Sequence, residues 1–366
     1  MKKYFIFCLA FILIACASPA TEVISTKESA PLPAAPTPHV PSPSSTSQPG
    51  PLFTVFGDEP IVPKGEAGAW DDRFTDPGAV FYYEGVFHMF RNGFRDFPAT
   101  SQVGYVTSSD GFTWTKIGDE PVFKTSDVPF AKIAMYASSV MVIENRVWVM
   151  YFYTWDSASF PSAGVIGRAT AATAKGPWVT DAEPVLKPGS AGEWDEQQVL
   201  APHVIQTNDG YIMYYSGADR TGKQQIGMAA SSDGIQWTKY NDPATTDAPY
   251  VESDPVFQPG EAGSWDAYQV HQPRVLETPQ GWVMFYRGTK DGNNTMALGL
   301  AASDDGIHWD RSALNPVFVP SDISGASYFW FHNVVFVNDT YYLFIEGDIN
   351  QTTQIYLATH EGEIPK

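Results

Sequence analysis

Apolar residues alternate with polar ones in short runs, the period of half-buried β-strands, and the runs arrive in threes. The first strand of each triplet opens with a Pro or small residue: Asp76 and Pro77, Ser138 and Ser139, Pro202 and His203, Pro273 and Arg274, His332 and Asn333. An aromatic strand follows at residues 86–90, 147–152, 211–215, 282–286 and 341–345. A third, rich in Gly and small residues, follows at 103–108, 165–170, 226–231, 298–303 and 355–359. Aromatic side chains suit a pleated surface packed on one face.

The triplets are punctuated by one phrase, an acidic or amide residue, Pro, Val or Ile, and an apolar residue, at Pro60, Pro121, Pro184, Pro255 and Pro316. The intervals of 61, 63, 71 and 61 residues fit one four-stranded sheet each. Three outer hairpins repeat as Ser109-Asp110-Gly111, Ser232-Asp233-Gly234 and Asp304-Asp305-Gly306, each leading to a Trp. Asp followed by Gly is tight-turn chemistry, so these acids are read as structural. The recurring pairs Trp70-Asp71, Trp194-Asp195 and Trp265-Asp266 are read as scaffold for the same reason. Five all-β units predict a five-bladed β-propeller, which hides sheet edges by radial repetition. The fifth unit lacks a fourth strand, and the first copy of the phrase has no third strand before it. Residues 53–62 are therefore expected to supply the outer strand of the last sheet and close the ring.

The rest of the chain is of another kind. Lys2 and Lys3 precede an apolar run at 4–14 that ends in Leu13-Ile14-Ala15-Cys16, which resembles the lipobox of bacterial lipoproteins and implies lipidation at Cys16. Residues 17–50, rich in Pro, Ser, Thr and Ala, read as a disordered tether. The expected organisation is a signal segment at 1–16, a linker at 17–50 and the propeller at 51–366, in an exported, membrane-anchored monomer. Cys8 and Cys16 are the two cysteines, so no disulfide supports the propeller. A formal charge of −19 argues against nucleic acid as a partner.

Chemistry is sought where the repeats differ. Aligned on the Pro or small residue, the first strands place Asp76, Ala137, Ala201, Gln272 and Phe331 at one position, where Asp76 is the lone carboxylate. The ends of the second strands carry Asn92, Ser216, Arg287 and Glu346. Asp76 and Glu346, with Arg91, Arg274 and Arg287 and the aromatics Tyr136, Trp155, Tyr328 and Trp330, have the makings of a carbohydrate site: aromatic faces for rings, acids and arginines for hydroxyls. His203, His271 and His332 approach the same axis. Their spacings match no metal-ligand signature, so they are read as hydrogen-bonded or sugar-contacting, with no metal or cofactor expected.

The repeats and the phrase at residues 75–79 resemble the five-bladed propeller glycosidases, chiefly glycoside hydrolase family 43, with the invertases and mannoside phosphorylases more distant. That resemblance implies Asp76, before Pro77, as general base. It also implies acids at the positions of Ala201 and Gln272, where this chain has none, and Gln cannot donate a proton as a carboxylic acid does. An acid from elsewhere on the mouth is then needed, Glu346 first and Asp156 or Asp348 behind it. The expectation is a glycoside hydrolase with catalytic Asp76 and Glu346, and its alternative a non-catalytic carbohydrate-binding lipoprotein. A rim carboxylate paired with Arg remains the other reading of Glu346.

Overall fold

The structure, a computed structural model, describes residues 51–96, 101–157, 161–279, 281–292 and 296–364. The expected signal segment with Cys16 and the 17–50 linker lie outside the described residues. Four antiparallel meanders run in chain order: Phe74–Tyr83, Val86–Phe94, Gln102–Ser108 and Thr115–Lys116; Met135–Ile143, Val147–Trp155, Gly164–Ala171 and Val179–Thr180; Gln198–Thr207, Gly210–Ala218, Gln224–Ser231 and Thr238–Lys239; Gln269–Thr278, Gly281–Thr289, Met296–Ser303 and Asp310–Arg311. The fifth holds His332–Val337, Thr340–Ile349 and Thr352–Glu361. Its outer strand is Thr54–Val55, with Thr54 opposite Thr359 and Val55 opposite Ala358.

The first strands adjoin one another in cyclic order, and the last, His332–Val337, lies beside Phe74–Tyr83. The core is accordingly distributed over the junctions between successive sheets. Phe90 and Val103 meet Met150 and Phe152, and Tyr151 meets Met213 and Tyr215. Tyr214 meets Met284, Phe285 meets Leu343, and Phe344 returns to Phe87 and Met89. Burial runs unbroken through most of each central strand, as over the last six residues of Val86–Phe94 and the last seven of Gly281–Thr289, because both faces are covered, one by each neighbouring sheet.

The repeated words now have causes. The last apolar residue of each Pro phrase turns back onto the third strand of a sheet: Phe123 opposite Val103, Leu186 opposite Ile166, Phe257 opposite Ile226, Phe318 opposite Leu298. Val62, from the first copy, lies opposite Ile355 in the last sheet, so the N-terminal copy belongs to the fifth repeat. Oδ1 of Asp110 accepts the N–H groups of Phe112 and Thr113 at 2.8 Å each, and Asp233 and Asp305 repeat the arrangement. The Tyr151 hydroxyl donates to the Gly234 carbonyl and the Tyr214 hydroxyl to that of Gly306, both at 2.8 Å, so each turn latches onto the preceding sheet. Trp194 lies across Gly217 and Gly227, where an added Cβ would come within 2.2 and 2.8 Å of the indole. Gly217 of the second strand and Gly227 of the third make room for that ring. The acids beside these tryptophans are charge partners in the scaffold: Asp71 with Arg91, Asp195 with Lys239, Asp266 with Arg311.

Candidate functional site

Four of the first strands are broken by a bulge, and the bulge decides what faces the axis. The ladder jumps between Asp76 and Ala79, Ala137 and Ser139, Leu200 and His203, and His271 and Arg274. Directly before the jump Asp76 stands opposite Asn92, Leu200 opposite Ser216 and His271 opposite Arg287, while in the second sheet Tyr136 stands opposite Tyr153 one pair earlier. In the fifth sheet the Glu346 N–H donates to the Phe331 carbonyl at 3.0 Å. The alignment on the Pro or small residue is thus corrected by one residue: Asp76 is level with Leu200 and His271, while Ala201 and Gln272 are the extra residues. Both take positive φ, 50° and 53°, which the extra residue of a bulge adopts and which Pro77 cannot. Asp76 remains the lone carboxylate among the first-strand residues of its level.

Above this level lies a pocket of about 490 Å³ walled by all five sheets. Of the residues expected there, Asp76, Tyr136, Trp155, His271, Gln272, Arg287, Tyr328, Trp330 and Glu346 line it. Four do not. Arg91 points away because Asn92, its neighbour on the strand, points in; it pairs with Asp71, lies 5.1 Å from the Trp70 ring centre and donates to Thr75 Oγ1. His203 and Arg274 come after the bulges. His203 lines a separate cavity of about 440 Å³ with Ser138 and Asn333, its Nδ1 accepting the Val275 N–H. Arg274 is buried and donates to the Pro273 carbonyl and to Ser138 Oγ. His332 is fully buried, its ring held neutral by burial and by Arg274 and Arg287 nearby. The two reserve acids are elsewhere: Asp156 is exposed and takes the Ala163 N–H, while Asp348 is buried and takes that of Gln351.

Several lining residues escaped the sequence reading, among them Tyr153, Leu200, Gln198 and the stacked pair Phe74 and Phe94, whose ring centres are 4.5 Å apart. Tyr153 had a signal, since it occupies the position of Asn92, Ser216, Arg287 and Glu346 in the aligned second strands.

The carboxyls of Asp76 and Glu346 are both buried, 2% and 3% exposed. Asp76 Oδ1 accepts a hydrogen bond from Asn92 Nδ2 at 2.8 Å, and Asn92 is itself fixed by the Ala137 N–H and carbonyl. Burial pushes the Asp76 carboxyl up to about 8, against the Asn92 bond and the charges of Arg274 and Arg91. Glu346 is pushed well above the carboxylate range by burial and then by the charge of Asp76. Opposing this, Glu346 Oε2 accepts the N–H groups of Trp330 and Phe331, at 3.3 and 3.1 Å, and Arg287 acts through its charge. Glu346 is therefore no rim carboxylate in an exposed ion pair. Arg287 lies against His271, 2.8 Å from Nε to Nε2, and donates to the Trp330 carbonyl. Burial holds both carboxyls protonated above the ordinary carboxylate range, and the two resist ionising together.

The chain matches the family described as Glycosyl hydrolases family 32 N-terminal domain over residues 71–259, a stretch that includes Asp76 and stops short of Glu346. An uncharacterized protein of Mycobacterium tuberculosis is 26% identical over 180 residues, 46% of this chain and 54% of that protein, so the match spans about half the relative's length. Among solved structures, a glycosyl hydrolase from Bacteroides ovatus superposes with a TM-score of 0.66 at 19% identity, covering 86% of this chain and 95% of the other. A structure described for a family of mannoside phosphorylases containing hydrolases of β-1,2-mannosidic linkages gives 0.64 at 18%, covering 86% and 95%. A thermostable family-43 glycoside hydrolase gives 0.58 at 13%, covering 80% and 91%. At these identities the likeness to the solved structures is one of fold. The sheets that carry Asp76, Asn92 and Tyr153 fall within the matched stretch, and this chain belongs to the glycosyl hydrolase family 32 N-terminal domain family.

Proposed function

We propose that the protein is a glycoside hydrolase that binds carbohydrate in the axial pocket, with Asp76 as general base and Glu346 as general acid. The observation that carries this reading is the pair of buried carboxyls, from two different sheets, in one aromatic-walled pocket, Asp76 held by the Asn92 amide and Glu346 by the Trp330 and Phe331 N–H groups. Two carboxyls whose proton affinities are raised by their surroundings suit acid and base roles near neutral pH.

In the reaction, ionised Asp76 takes a proton from a water molecule as its oxygen attacks the anomeric carbon. The bond from that carbon to the leaving oxygen breaks, its electron pair passes to the oxygen, and the Glu346 carboxyl supplies the proton. The acids then exchange their proton through solvent. Asn92 fixes the base, while the Trp330 and Phe331 amides hold the acid and stabilise its carboxylate once the proton has left. Arg274 and Arg91, although outside the pocket, favour the ionised base.

On the same reading the protein is exported and anchored through a lipid on Cys16, which the Lys2-Lys3 start, the apolar run and the 17–50 composition support. A panel of aryl glycosides and oligosaccharides, tried with the wild type, Asp76→Asn and Glu346→Gln, tests the activity. Turnover by the wild type that fails in both variants upholds it. Sugar binding without turnover in the wild type would instead mark a carbohydrate-binding protein.

A further inference from the structure

We infer that the substrate is a glycoside carrying one sugar on an apolar aglycone, the sugar seated on the floor of the pocket and the aglycone against its mouth. The inference rests on the hydrolase reading and names the substrate class of that same site.

The buried and the more exposed parts of the pocket lining differ in what they offer a ligand. The buried part sets Asp76, Glu346, Ser216 and Gln272 beside Phe94, Tyr136, Tyr153 and Leu200. Gln272 Oε1 has no hydrogen-bond partner although the residue is 7% exposed, and its backbone is held at positive φ with the N–H donated to Ser216 Oγ at 2.8 Å. A buried amide oxygen left without a partner costs free energy unless a ligand hydroxyl reaches it. With the two acids and Ser216 it makes a compact polar set for one sugar ring.

Nearby polar side chains are already engaged. Gln198 Nε2 donates to Ser162 O and Oγ, Thr353 Oγ1 exchanges hydrogen bonds with the Thr75 backbone, and Arg287 is taken by His271 and the Trp330 carbonyl. The half-exposed and exposed lining, among the described residues, is Phe74, Trp155, Tyr328, Trp330, Phe331 and Gln224. Trp330 is 39% exposed, which makes it the outermost ring. Five aromatics and one amide suit an apolar group better than a second sugar. Stacking would satisfy the carbon face of that sugar, but its ring of hydroxyls would meet few polar groups, the Gln224 amide, the Tyr328 hydroxyl and two indole N–H groups.

The test separates aglycone recognition from catalysis. Methyl, butyl and octyl glycosides of the common hexoses and pentoses have leaving groups of nearly equal basicity, so chain length changes apolar contact alone. Their binding to Glu346→Gln is measured by calorimetry, beside their turnover by the wild type. Affinity is expected to rise about three- to four-fold per added methylene until the mouth is filled. Trp330→Ala, at an exposed ring where folding is not at stake, and Trp155→Ala should each flatten that rise. Affinity independent of chain length, or oligosaccharides bound more tightly than octyl glycosides, overturns the inference even if the enzyme hydrolyses sugars. A chain-length rise without any turnover upholds the inference about the mouth and removes the hydrolase reading. Failure of every glycoside to bind overturns both.

Discussion

Asn92 donates from Nδ2 to Asp76 Oδ1 at 2.8 Å, while its own carbonyl oxygen is locked by the Ala137 N–H of the next sheet. The amide thus fixes the carboxyl and favours its ionised form. Asn92→Ala should lower kcat about 10- to 100-fold and move the acid limb of the pH profile upward, because a bond that lowers the Asp76 pKa is removed. A reduced rate with an unmoved limb would make Asn92 a packing residue only.

The burial of the two acids sets the pH dependence. On the proposed roles the base must be ionised, so kcat/KM of the wild type should rise through about pH 8, to which burial pushes the Asp76 carboxyl. Glu346, also held well above the ordinary carboxylate range, must keep its proton, and its loss should close the profile on the alkaline side. An acidic optimum near pH 4 to 5 would contradict the raised proton affinity of the base.

Keeping Asp76 in so dry a place costs stability. Between about pH 4 and 8 the unfolded chain has released this proton and the folded protein retains it, so stability falls as pH rises through that window. Asp76→Asn removes the group that titrates. The variant's Tm should exceed that of the wild type by a few degrees at pH 8, and the gain should shrink toward pH 4. Calorimetric scans at both pH values check it; a gain equal at the two would mean the carboxyl ionises normally.

Arg91 neutralises a fully buried Asp71 and also lies over Trp70. Arg91→Met leaves that carboxylate without its cation and should cost about 3 to 5 kcal/mol. Chemical denaturation measures the loss, and a change within about 0.5 kcal/mol would remove Arg91 from the scaffold.

Removing residues 51–62 takes away Thr54–Val55 and the Val62 bridge and bares the edge of Thr352–Glu361. The shortened protein should aggregate where the full chain stays dispersed. Light scattering decides, and a soluble, folded truncation would mean the ring closes without this strand.

Much of the scaffold was readable because local chemistry imposes it. Asp110, Asp233 and Asp305 repeat since each caps the same turn, and Val62 could be assigned to the last sheet because its phrase had no strand before it. Asp76 and Glu346 stood out as acids that the other repeats lack. What misled was orientation. Arg91 was credited to the pocket for its place near a strand end, although the side-chain alternation that turns Asn92 inward turns Arg91 outward. The bulges at Ala201 and Gln272 moved His203 and Arg274 behind the pocket and brought Leu200 level with Asp76. A bulge is one extra residue held by pairing across the sheet, and the strand's own sequence carries little trace of it.

The most direct test of the paired acids uses leaving groups of different basicity on whichever sugar the panel identifies. A 2,4-dinitrophenolate departs without a proton, whereas an alkoxide needs one. Glu346→Gln should therefore hydrolyse the dinitrophenyl glycoside within about ten-fold of the wild type and lose at least about 1,000-fold on the methyl glycoside, while Asp76→Asn loses both. Equal losses on the two substrates in Glu346→Gln, a wild-type rate of that variant on the methyl glycoside, or wild-type rates in Asp76→Asn would contradict the assignment.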